Sequence, residues 1–545
     1  MKNRRYQIKH GESHRCRGIS EYCKAVCKGR TFWCAFSYSV HIRQSIYTEW
    51  GRDMDYGAKE ASCIPQVTLR DPRLTGQGVL IAVLDSGIDY FLTEFQNADG
   101  TTRILTLWDQ SAIPDVEHNR LPPEGYTEGV LYTRDEINEA LAAGSRQAGL
   151  AIVPQQDISG HGTAVAALAA GSQSGVAAQA QLVVVKLGNP LAESFPRTTQ
   201  LMRGISYVVN LGVELNMPVV MNLSFGNTYG DHRGESLLER FIDNASEIGR
   251  TAIIIGSGNE GASNGHTAGI ALTQKNIELA VAAYETGLSI QIWKHPNDDF
   301  GLVVRSPGGE EVQLETRRIA TIRRTLEQTQ LLCYIGEPLP YSVNQEIYID
   351  MIPVGRYINE GVWNLVLTPR NVVTGEYRMY LPSYAARNTG TGFFLPTPEV
   401  TLTIPSTSLR AITVGAYDTR TSGYADFSGR GYVYRYEEGR AGEDGLPFGT
   451  AFSKPDLVAP GVNLTVPIPD SGTQQVSGTS FATPIVSGSA ALLMEWGIVR
   501  GNDPYLYGQK LKAYLINGAK KLPGFGRYPN DMVGWGALCV VDSLP

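Results

Sequence analysis

The sequence predicts an α/β fold, namely a doubly wound parallel sheet with an inserted antiparallel β-sandwich of jelly-roll-like type. Short apolar runs of strand length alternate with helical segments from about residue 76 to residue 270, and this pattern resumes after residue 406. Between these parts, apolar and polar residues alternate, as in strands with one buried face. We therefore expect an α/β domain made of residues 61–270 and 407–545, with a β-sandwich domain at residues 271–406 inserted in it.

The composition excludes several classes of function. Hydrophobic residues make up 42% of the 545 residues and charged residues 19%, which is ordinary for a globular protein with large cores. The net charge of −7, without a basic tract in the main body, argues against nucleic acid as a partner. No apolar run approaches the roughly 20 residues of a membrane span. The scattered cysteines of the main body, Cys63, Cys333 and Cys539, are expected to be buried thiols.

Residues 1–60 differ from the rest of the chain, because they are rich in Lys and Arg and contain four cysteines. A metal site is conceivable here, but the spacing matches no zinc pattern, since the paired C-x-x-C element is absent. The segment also lacks the features of a secretory signal peptide. We expect a disordered arm or a wrongly assigned start codon, and no metal ligands. The residues concerned are Cys16, Cys23, Cys27 and Cys34, with His10 and His14 nearby.

The first expected strand is the continuous apolar run Gly78–Leu84, which is typical of a buried parallel strand. It ends at Asp85, which is followed by Ser86 and Gly87. A carboxylate at the carboxyl end of a central strand is a common place for function in an open α/β sheet. An aspartate there is at least as well explained as a structural cap of the following turn.

A histidine between two glycines is the next notable feature. His161 lies between Gly160 and Gly162, and a helix of small residues follows, with Gly171 as its expected stop. The glycines indicate that some part of the chain approaches the backbone closely at this point. A lone histidine is more often structural, and the bracketing glycines shift that balance only modestly.

Strands and helices then continue to alternate, which favours a parallel sheet. The last strand leads into Ser257–Gly261, where Asn259 follows a glycine. A side-chain amide in this position suits donation of a hydrogen bond to a developing oxyanion, although asparagine is also ordinary in turns. The expected strands are Gln181–Lys186, Pro218–Gly226 and Thr251–Gly256, and the expected helices are Thr198–Leu215 and Gly234–Ile248.

The block between residues 271 and 406 shows alternation separated by turn residues, as in a β-sandwich. It contains no catalytic constellation, so we expect a binding or bracing role. Its expected strands are Leu288–Trp293, Val312–Glu315, Glu346–Met351, Trp363–Leu367 and Val400–Ile404.

The α/β pattern resumes with a strand at Arg410–Asp418 and reaches a serine at an expected helix start. Gly478 permits a tight turn, and the residues that follow it include Ser480. Unpaired N–H groups and the positive end of the helix dipole favour an oxyanion there. Pro484 removes the helical hydrogen bond to the carbonyl of Ser480. Taken alone, the segment is better explained as a Ser/Thr-capped core helix. A final helix is expected near Gly508–Asn517.

Asp85, His161 and Ser480 occur along the chain in the order Asp, His, Ser. With this order, the chain resembles the subtilisin-like serine proteases (subtilases, peptidase S8 family). The resemblance covers about residues 76–270 and 407–520. A large β-sandwich insertion before the final third is also similar to the clostridial spore-germination protease branch of the family. The matching segments are Asp85–Gly87, His161–Thr163, Ser257–Asn259 and Gly478–Pro484.

The resemblance implies a role for each matched residue. Ser480 is expected to be the nucleophile, His161 the general base and then acid, and Asp85 the group that orients the imidazole. Asn259 and the backbone N–H of Ser480 are expected to form the oxyanion hole. Extended substrate is expected to bind along a strand edge and the turn beside it. The implied substrate-binding residues are Ser224, Phe225, Gly226 and Gly258.

The resemblance also implies the partners of the chain. A subtilase hydrolyses protein or peptide substrates, among which another protease or the chain itself are open alternatives. No cofactor is expected. Calcium sites are frequent in the family, but no calcium ligands are identifiable here. Subtilases are usually made with an ordered inhibitory prosegment, which residues 1–60 do not resemble, so its own propeptide as a partner stays open. The compartment, spore-associated or cytoplasmic, stays open as well.

Two other functions compete with an active endopeptidase. A pseudoprotease would use the same fold for binding or regulation, but such relatives in the germination branch have lost triad residues, whereas this chain has Asp85, His161 and Ser480. An esterase of the α/β-hydrolase type would require a G-x-S-x-G elbow after a strand. Ser480 lies instead in Gly-Thr-Ser-Phe-Ala, so the protease hypothesis is preferred.

Overall fold

A computed structural model of the chain defines the architecture. Residues 1–55 of the cysteine-containing segment, with all four of its cysteines and their expected disorder, lie outside the described residues, whereas residues 56–60 belong to a helix, Tyr56–Ala61. The described residues are 56–70, 73–188, 197–340, 342–434, 452–470 and 472–545.

The first six strands and all the α-helices of the described part belong to the α/β portion of the chain. The strands are β1 (Leu80–Asp85), β2 (Ile104–Asp109), β3 (Val130–Thr133), β4 (Gln181–Lys186), β5 (Val219–Leu223) and β6 (Thr251–Gly256). The helices are α1 (Tyr56–Ala61), α2 (Pro65–Thr68), α3 (Arg134–Ala142), α4 (Arg146–Ile152), α5 (His161–Ala170), α6 (Thr198–Glu214), α7 (Leu237–Ala245), α8 (Thr479–Met494) and α9 (Gly508–Asn517).

Eleven further strands follow before the α/β pattern resumes. They are β7 (His266–Ile270), β8 (Lys275–Val281), β9 (Leu288–Lys294), β10 (Asp299–Arg305), β11 (Glu311–Glu315), β12 (Ala320–Leu326), β13 (Thr329–Ile335), β14 (Gln345–Pro353), β15 (Gly361–Asn371), β16 (Glu376–Tyr380) and β17 (Gly392–Phe393). The last strands are β18 (Ile412–Asp418), β19 (Gly423–Tyr424), β20 (Tyr432–Tyr434), β21 (Phe452–Lys454), β22 (Leu457–Pro460), β23 (Leu464–Pro467) and β24 (Thr473–Val476).

The predicted parallel sheet is confirmed as a nine-stranded sheet in the order β19-β18-β6-β5-β1-β4-β2-β3, with β22 beside β18. Strands β18, β6, β5, β1, β4 and β2 run parallel, while β3 and β19 pair antiparallel at the two edges. All six residues of β1 are buried, as expected for a central strand covered on both faces.

The two faces of the sheet are covered by different helices, which is the doubly wound arrangement. Ile81 and Val83 of β1 belong to the core that includes the buried residues of α5 and α8. Leu80, Ala82 and Leu84 point to the other face and pack with α6 and α7. Because successive strand residues face opposite sides, one apolar run supplies both cores.

The antiparallel strands form two sheets around a separate core, in agreement with the predicted β-rich insertion. One sheet has the order β11-β10-β15-β8-β17, and the other has the order β12-β13-β14-β9-β16-β7. The expected strand at Val400–Ile404 is wrong, because this segment forms no regular strand and makes only an isolated bridge between Ile404 and Asn227. Its alternation reflects packing against the α/β part, which buries Leu402 and Ile404.

Of the three cysteines expected to be buried thiols, one is a thiol and the other two are not. Cys333 is a buried free thiol as expected, and burial raises its pKa to about 12. Cys63 and Cys539 are not free thiols, because they form a disulfide across 476 positions of sequence. Two residues so far apart give no local signal of pairing, and only the fold brings their Cα atoms to 4.9 Å.

Helix α8 is the central helix of the larger core. Every residue of Thr479–Met494 is buried, and a π-helical turn, Glu495–Val499, extends it. Within the described ranges, this 21-residue stretch is long and apolar enough to cross a membrane, but 89% of its apolar window is buried inside the fold. The small residues seen in the sequence are therefore explained by close packing.

Candidate active site

The structure brings Asp85 and His161 into direct contact. Asp85 is the last residue of β1, and His161 is the first residue of α5. Their side chains are each 3% exposed, and Nδ1 of His161 lies 2.7 Å from Oδ1 of Asp85. Burial lowers the pKa of His161, but the carboxylates of Asp85 and, further away, Asp157 outweigh it, so that its pKa is raised above the ordinary value. The aspartate thus favours the imidazolium that would form during proton abstraction.

A buried carboxylate that the sequence analysis passed over holds the start of α5. Asp157 is 4% exposed and accepts hydrogen bonds from the backbone N–H groups of Gly160 and Thr163, at 3.0 and 2.8 Å. Ser86 donates to the same carboxylate at 2.9 Å and accepts from the N–H of Gly162 at 2.9 Å. These bonds tie the residue after Asp85 to the residue after His161. The signal in the sequence is an Asp four positions before the histidine, at the approach to a helix.

Glycine is required on the two sides of His161 for different structural reasons. Gly160 is the N-cap of α5 with φ of 72°, a left-handed conformation that side chains rarely adopt. A Cβ on Gly162 would overlap the carbonyl oxygen of Gly87. The close backbone approach that the sequence indicated is therefore made by the turn that follows Asp85.

Ser480 is the second residue of α8, so its N–H has no partner within the helix. Pro484 lies inside the same helix and cannot donate to the carbonyl of Ser480. The hydroxyl of Ser224, just after β5, donates to that carbonyl at 2.8 Å instead. Oγ of Ser480 in turn lies 3.4 Å from the carbonyl oxygen of Ser224. The end of β5 and the start of α8 are thereby joined through the carbonyl and the hydroxyl of the candidate nucleophile itself.

The imidazole of His161 lies against the start of α8. Its ring centroid is 5.5 Å from that of Phe481, the residue after Ser480. Asp85, at the end of β1, is thus linked through one histidine to the helix that carries the serine. Positions separated by hundreds of residues meet at the carboxyl edge of the sheet, where parallel α/β folds place their sites.

Asn259 is oriented by the first residue of α8. Its Oδ1 accepts from the backbone N–H of Thr479 at 3.0 Å and from the Thr479 hydroxyl at 3.1 Å. The same hydroxyl accepts from the N–H of Gly258 at 3.1 Å. Since Oδ1 is occupied by these donors, the amide nitrogen Nδ2 is the part of Asn259 that remains to donate elsewhere.

A cleft of about 50 Å³ lies beside Ser480. All four residues predicted to bind substrate line it, together with Asn259 and Ser480. Five further lining residues were not predicted from the sequence, namely Gly256, Glu260, Ser383, Thr403 and Thr479. Ser383 and Thr403 come from the end of the β-rich insertion, where nothing in the local sequence signals a catalytic neighbour. The complete lining is Ser224, Phe225, Gly226, Gly256, Gly258, Asn259, Glu260, Ser383, Thr403, Thr479 and Ser480.

Glu260 places a buried carboxyl in this cleft. It is 8% exposed, and both of its carboxyl oxygens lie 3.2 Å from the backbone N–H of Tyr384. Burial raises the pKa of Glu260, an effect opposed by the positive charge of Arg387. The carboxyl therefore has a buried counter-charge close by.

Within the described residues, one group has the composition of a metal site, formed by Cys63, Cys539 and Asp542. The two cysteines are joined in the disulfide, and calcium prefers oxygen ligands, so this group does not fit a calcium site. No calcium ligands are assigned.

The chain is similar to proteins of known family and known structure. The family model described as Subtilase family (Peptidase S8) matches residues 76–345 and 378–536. The structure of the CspB protease of Clostridium perfringens is similar, with a TM-score of 0.78 and 34% identity over 90% of this chain and 97% of that chain.

Curated relatives are more distant. The PII-type proteinase of Lactococcus lactis subsp. cremoris is 24% identical over 466 residues, which is 81% of this chain and 24% of the relative. The serine protease AprX of Bacillus subtilis (strain 168) is 32% identical over 165 residues, covering 27% of this chain and 32% of the relative. The chain thus spans about a quarter of the length of the lactococcal proteinase that it matches.

Proposed function

Because the chain belongs to the subtilase family of serine proteases, we propose that it is an endopeptidase that uses Ser480, His161 and Asp85 as its catalytic triad. The observation that carries the proposal is the buried contact of 2.7 Å between His161 and Asp85, with the His161 ring against the residue that follows Ser480. Because Nδ1 of His161 is engaged with Asp85, Nε2 is the ring nitrogen that we assign to the proton of Ser480.

The reaction follows from these roles. Oγ of Ser480 attacks the carbonyl carbon of the scissile bond while Nε2 of His161 takes the hydroxyl proton. The imidazolium is stabilised by Asp85 and then gives its proton to the leaving amine, so that the C–N bond breaks and an acyl-enzyme remains. Water, deprotonated by the same imidazole, attacks the ester and releases the acid. In each half-reaction His161 takes one proton from the attacking group and gives it to the leaving group, which is the amine in the first and Oγ of Ser480 in the second.

The negative charge on the carbonyl oxygen is accommodated at the start of α8. The backbone N–H of Ser480, unpaired within the helix, and Nδ2 of Asn259 are the proposed donors. They act together with the positive end of the helix dipole. Because Thr479 fixes the other end of the Asn259 amide, this donor is oriented before substrate binds.

The proposed substrate is an extended segment of protein or peptide. Its backbone would pair with the chain at Ser224, Phe225 and Gly226 and lie beside Gly258, all of which line the cleft at Ser480. Another protease, the chain itself or a prosegment would each satisfy this chemistry. The proposed reaction uses the chain's own side chains and no cofactor.

Labelling with a fluorophosphonate tests the proposal, since such a probe phosphonylates only a serine activated by its base. We expect the folded chain to be labelled at Ser480 and to hydrolyse an unstructured protein, and we expect Ser480→Ala to abolish both. Ser489→Ala is the matched control, because it removes a buried hydroxyl from the same helix whose bond is to Ile485 rather than to the site. A folded chain that binds peptide but is neither labelled nor active would instead favour a pseudoprotease.

A further inference from the structure

The cleft beside Ser480 is lined by residues from the end of the β-rich insertion as well as by residues of the α/β part. We infer that Thr403 and Ser383 make this cleft selective for a neutral polar side chain (Ser, Thr, Asn or Gln) on the residue that supplies the scissile carbonyl. This inference rests on the proposed function, because it describes the substrate of the same site. It gives the insertion a role in specificity beyond bracing.

Thr403 is held firmly in the wall of the cleft. Its backbone N–H donates to the carbonyl of Ser257 at 3.0 Å, and the next residue, Ile404, exchanges two hydrogen bonds with Asn227, at 2.7 and 2.9 Å. A Cβ on Gly226 or on Gly258 would overlap the Thr403 side chain. The threonine therefore packs directly on the two backbone walls of the cleft and occupies space that a larger substrate side chain would need.

The size of the cleft follows from this packing. Its volume of about 50 Å³ is small compared with the roughly 150 Å³ of a cavity that holds a benzene ring. An aromatic ring or a bulky branched side chain would have to displace Thr403, which the bridge at Ile404 opposes. A compact or slender side chain needs no such movement.

The hydroxyls that face the cleft lack partners. Thr403 is 5% and Ser383 7% exposed, and no hydrogen bond joins either hydroxyl to another of the described residues. In the free protein these hydroxyls can be hydrated from the open side of the cleft, because neither oxygen is itself fully buried. A substrate side chain that fills the cleft displaces this water. A hydroxyl or carboxamide on the substrate then supplies a new partner, whereas an alkyl or aryl group leaves the hydroxyls of Thr403 and Ser383 unpaired.

Charged side chains are disfavoured because the buried charges of the cleft already have partners. Glu260 accepts from the N–H of Tyr384 and lies near Arg387. Arg387 itself donates to the carbonyl oxygens of Pro382, Thr391 and Ser263, at 2.7, 2.6 and 3.0 Å. A substrate anion would face the carboxyl of Glu260, and a substrate cation would approach Glu260 against the positive charge of Arg387, so either is less favourable here than a neutral polar group.

The test uses peptides that are identical except at the residue before the scissile bond, which carries Gln, Ser, Phe, Leu, Lys or Glu. Turnover is measured with the active chain, and binding of the same peptides is measured by calorimetry with Ser480→Ala. We expect Gln or Ser to exceed Phe, Leu, Lys and Glu by at least about tenfold in kcat/KM, as one satisfied buried hydrogen bond allows. Binding to the Ser480→Ala chain should follow the same order.

Two substitutions separate the size of Thr403 from its hydroxyl. Thr403→Val keeps the shape and should reduce the preference for Gln over Leu by about fivefold or more, the value of one hydrogen bond. Thr403→Gly opens the cleft and should raise kcat/KM for Phe relative to Gln by at least about tenfold. Thr401→Val is the matched control, because Thr401 is also buried near the end of the insertion but bonds to Pro398 and Arg430 and does not line the cleft. The Thr401→Val chain should show the same ratios of kcat/KM among the peptides as the parent.

Failure of this inference is distinguishable from failure of the proposed function. If the chain is labelled at Ser480 and hydrolyses Phe or Leu peptides best, the proposed function stands and the inferred selectivity is wrong. If turnover and labelling are absent, the proposed function is wrong, and binding to the Ser480→Ala chain still decides the selectivity. The inference is also overturned if neither substitution at Thr403 changes the ratios of kcat/KM between the Gln peptide and the Leu or Phe peptide.

Discussion

The two ends of the Asn259 side-chain amide have different roles, and two substitutions of this residue together distinguish them. Asn259→Ala removes Nδ2, the proposed oxyanion donor, and also Oδ1, which accepts from the N–H and the hydroxyl of Thr479. Loss of one such donor raises the barrier by about 3–4 kcal/mol, a fall of roughly 10²–10³-fold in kcat. Loss of the acceptor leaves two Thr479 donors unpaired, which lowers the free energy of unfolding by about 1–3 kcal/mol.

Asn259→Asp separates these effects, because it retains an acceptor for Thr479 and loses the donor. We expect this variant to unfold at a denaturant concentration close to that of the parent, since a carboxylate is favourable at a helix N-terminus. Its kcat should fall at least as far as that of Asn259→Ala, because a second negative charge opposes the oxyanion.

Peptide hydrolysis gives kcat and KM for each variant, and urea unfolding gives the stability. Asn138→Asp is a suitable control, because the Oδ1 of Asn138 also accepts a backbone N–H, that of Thr102, and neither residue lines the cleft. It should leave kcat unchanged. If Asn259→Ala retained kcat within about tenfold while Ser480→Ala was inactive, Asn259 would not be an oxyanion donor and the reasoning would be refuted.

Two other predictions concern the base and the helix start. His161 must be neutral to accept a proton, and its pKa is raised, so kcat/KM should fall as the pH drops through a value above the ordinary 6.5 of histidine. Asp85→Asn should shift this fall of kcat/KM to lower pH and slow turnover by about 10⁴-fold. If the pH of the fall did not change, Asp85 would not be what raises the pKa of His161. Ser224→Ala should lower the free energy of unfolding by about 1–3 kcal/mol, because the carbonyl of Ser480 loses its donor. Pro484→Ala restores a helical N–H to this carbonyl, so a double-mutant cycle should recover about 1 kcal/mol, whereas strict additivity would argue against the compensation.

Most of the central sheet was predictable because its signals are local. A buried parallel strand needs a continuous apolar run, and β4 and β6 begin and end where those runs do. Helix α9 likewise has its predicted limits. The predicted limits of the two domains and the predicted role of each site residue stay predictions.

The segment at Val400–Ile404 shows where local signals fail. Alternation of apolar and polar residues describes which side chains become buried, but it does not specify what buries them. Here the neighbour is the backbone at Gly226 and Gly258 rather than a partner strand, so the segment becomes a wall of the cleft. The disulfide between Cys63 and Cys539 was missed for a related reason, since proximity across 476 positions has no local pattern.

The sequence by itself determined the chemical groups and their local settings: an aspartate at a strand end, a histidine between glycines, and a serine at a helix start. Only the tertiary structure decided which of these groups meet and what surrounds them. It set the 2.7 Å contact of Asp85 with His161 and closed the cleft with Thr403 from the insertion. The physical reason is that backbone conformation is governed by neighbours along the chain, whereas contacts and burial depend on elements that lie hundreds of residues away.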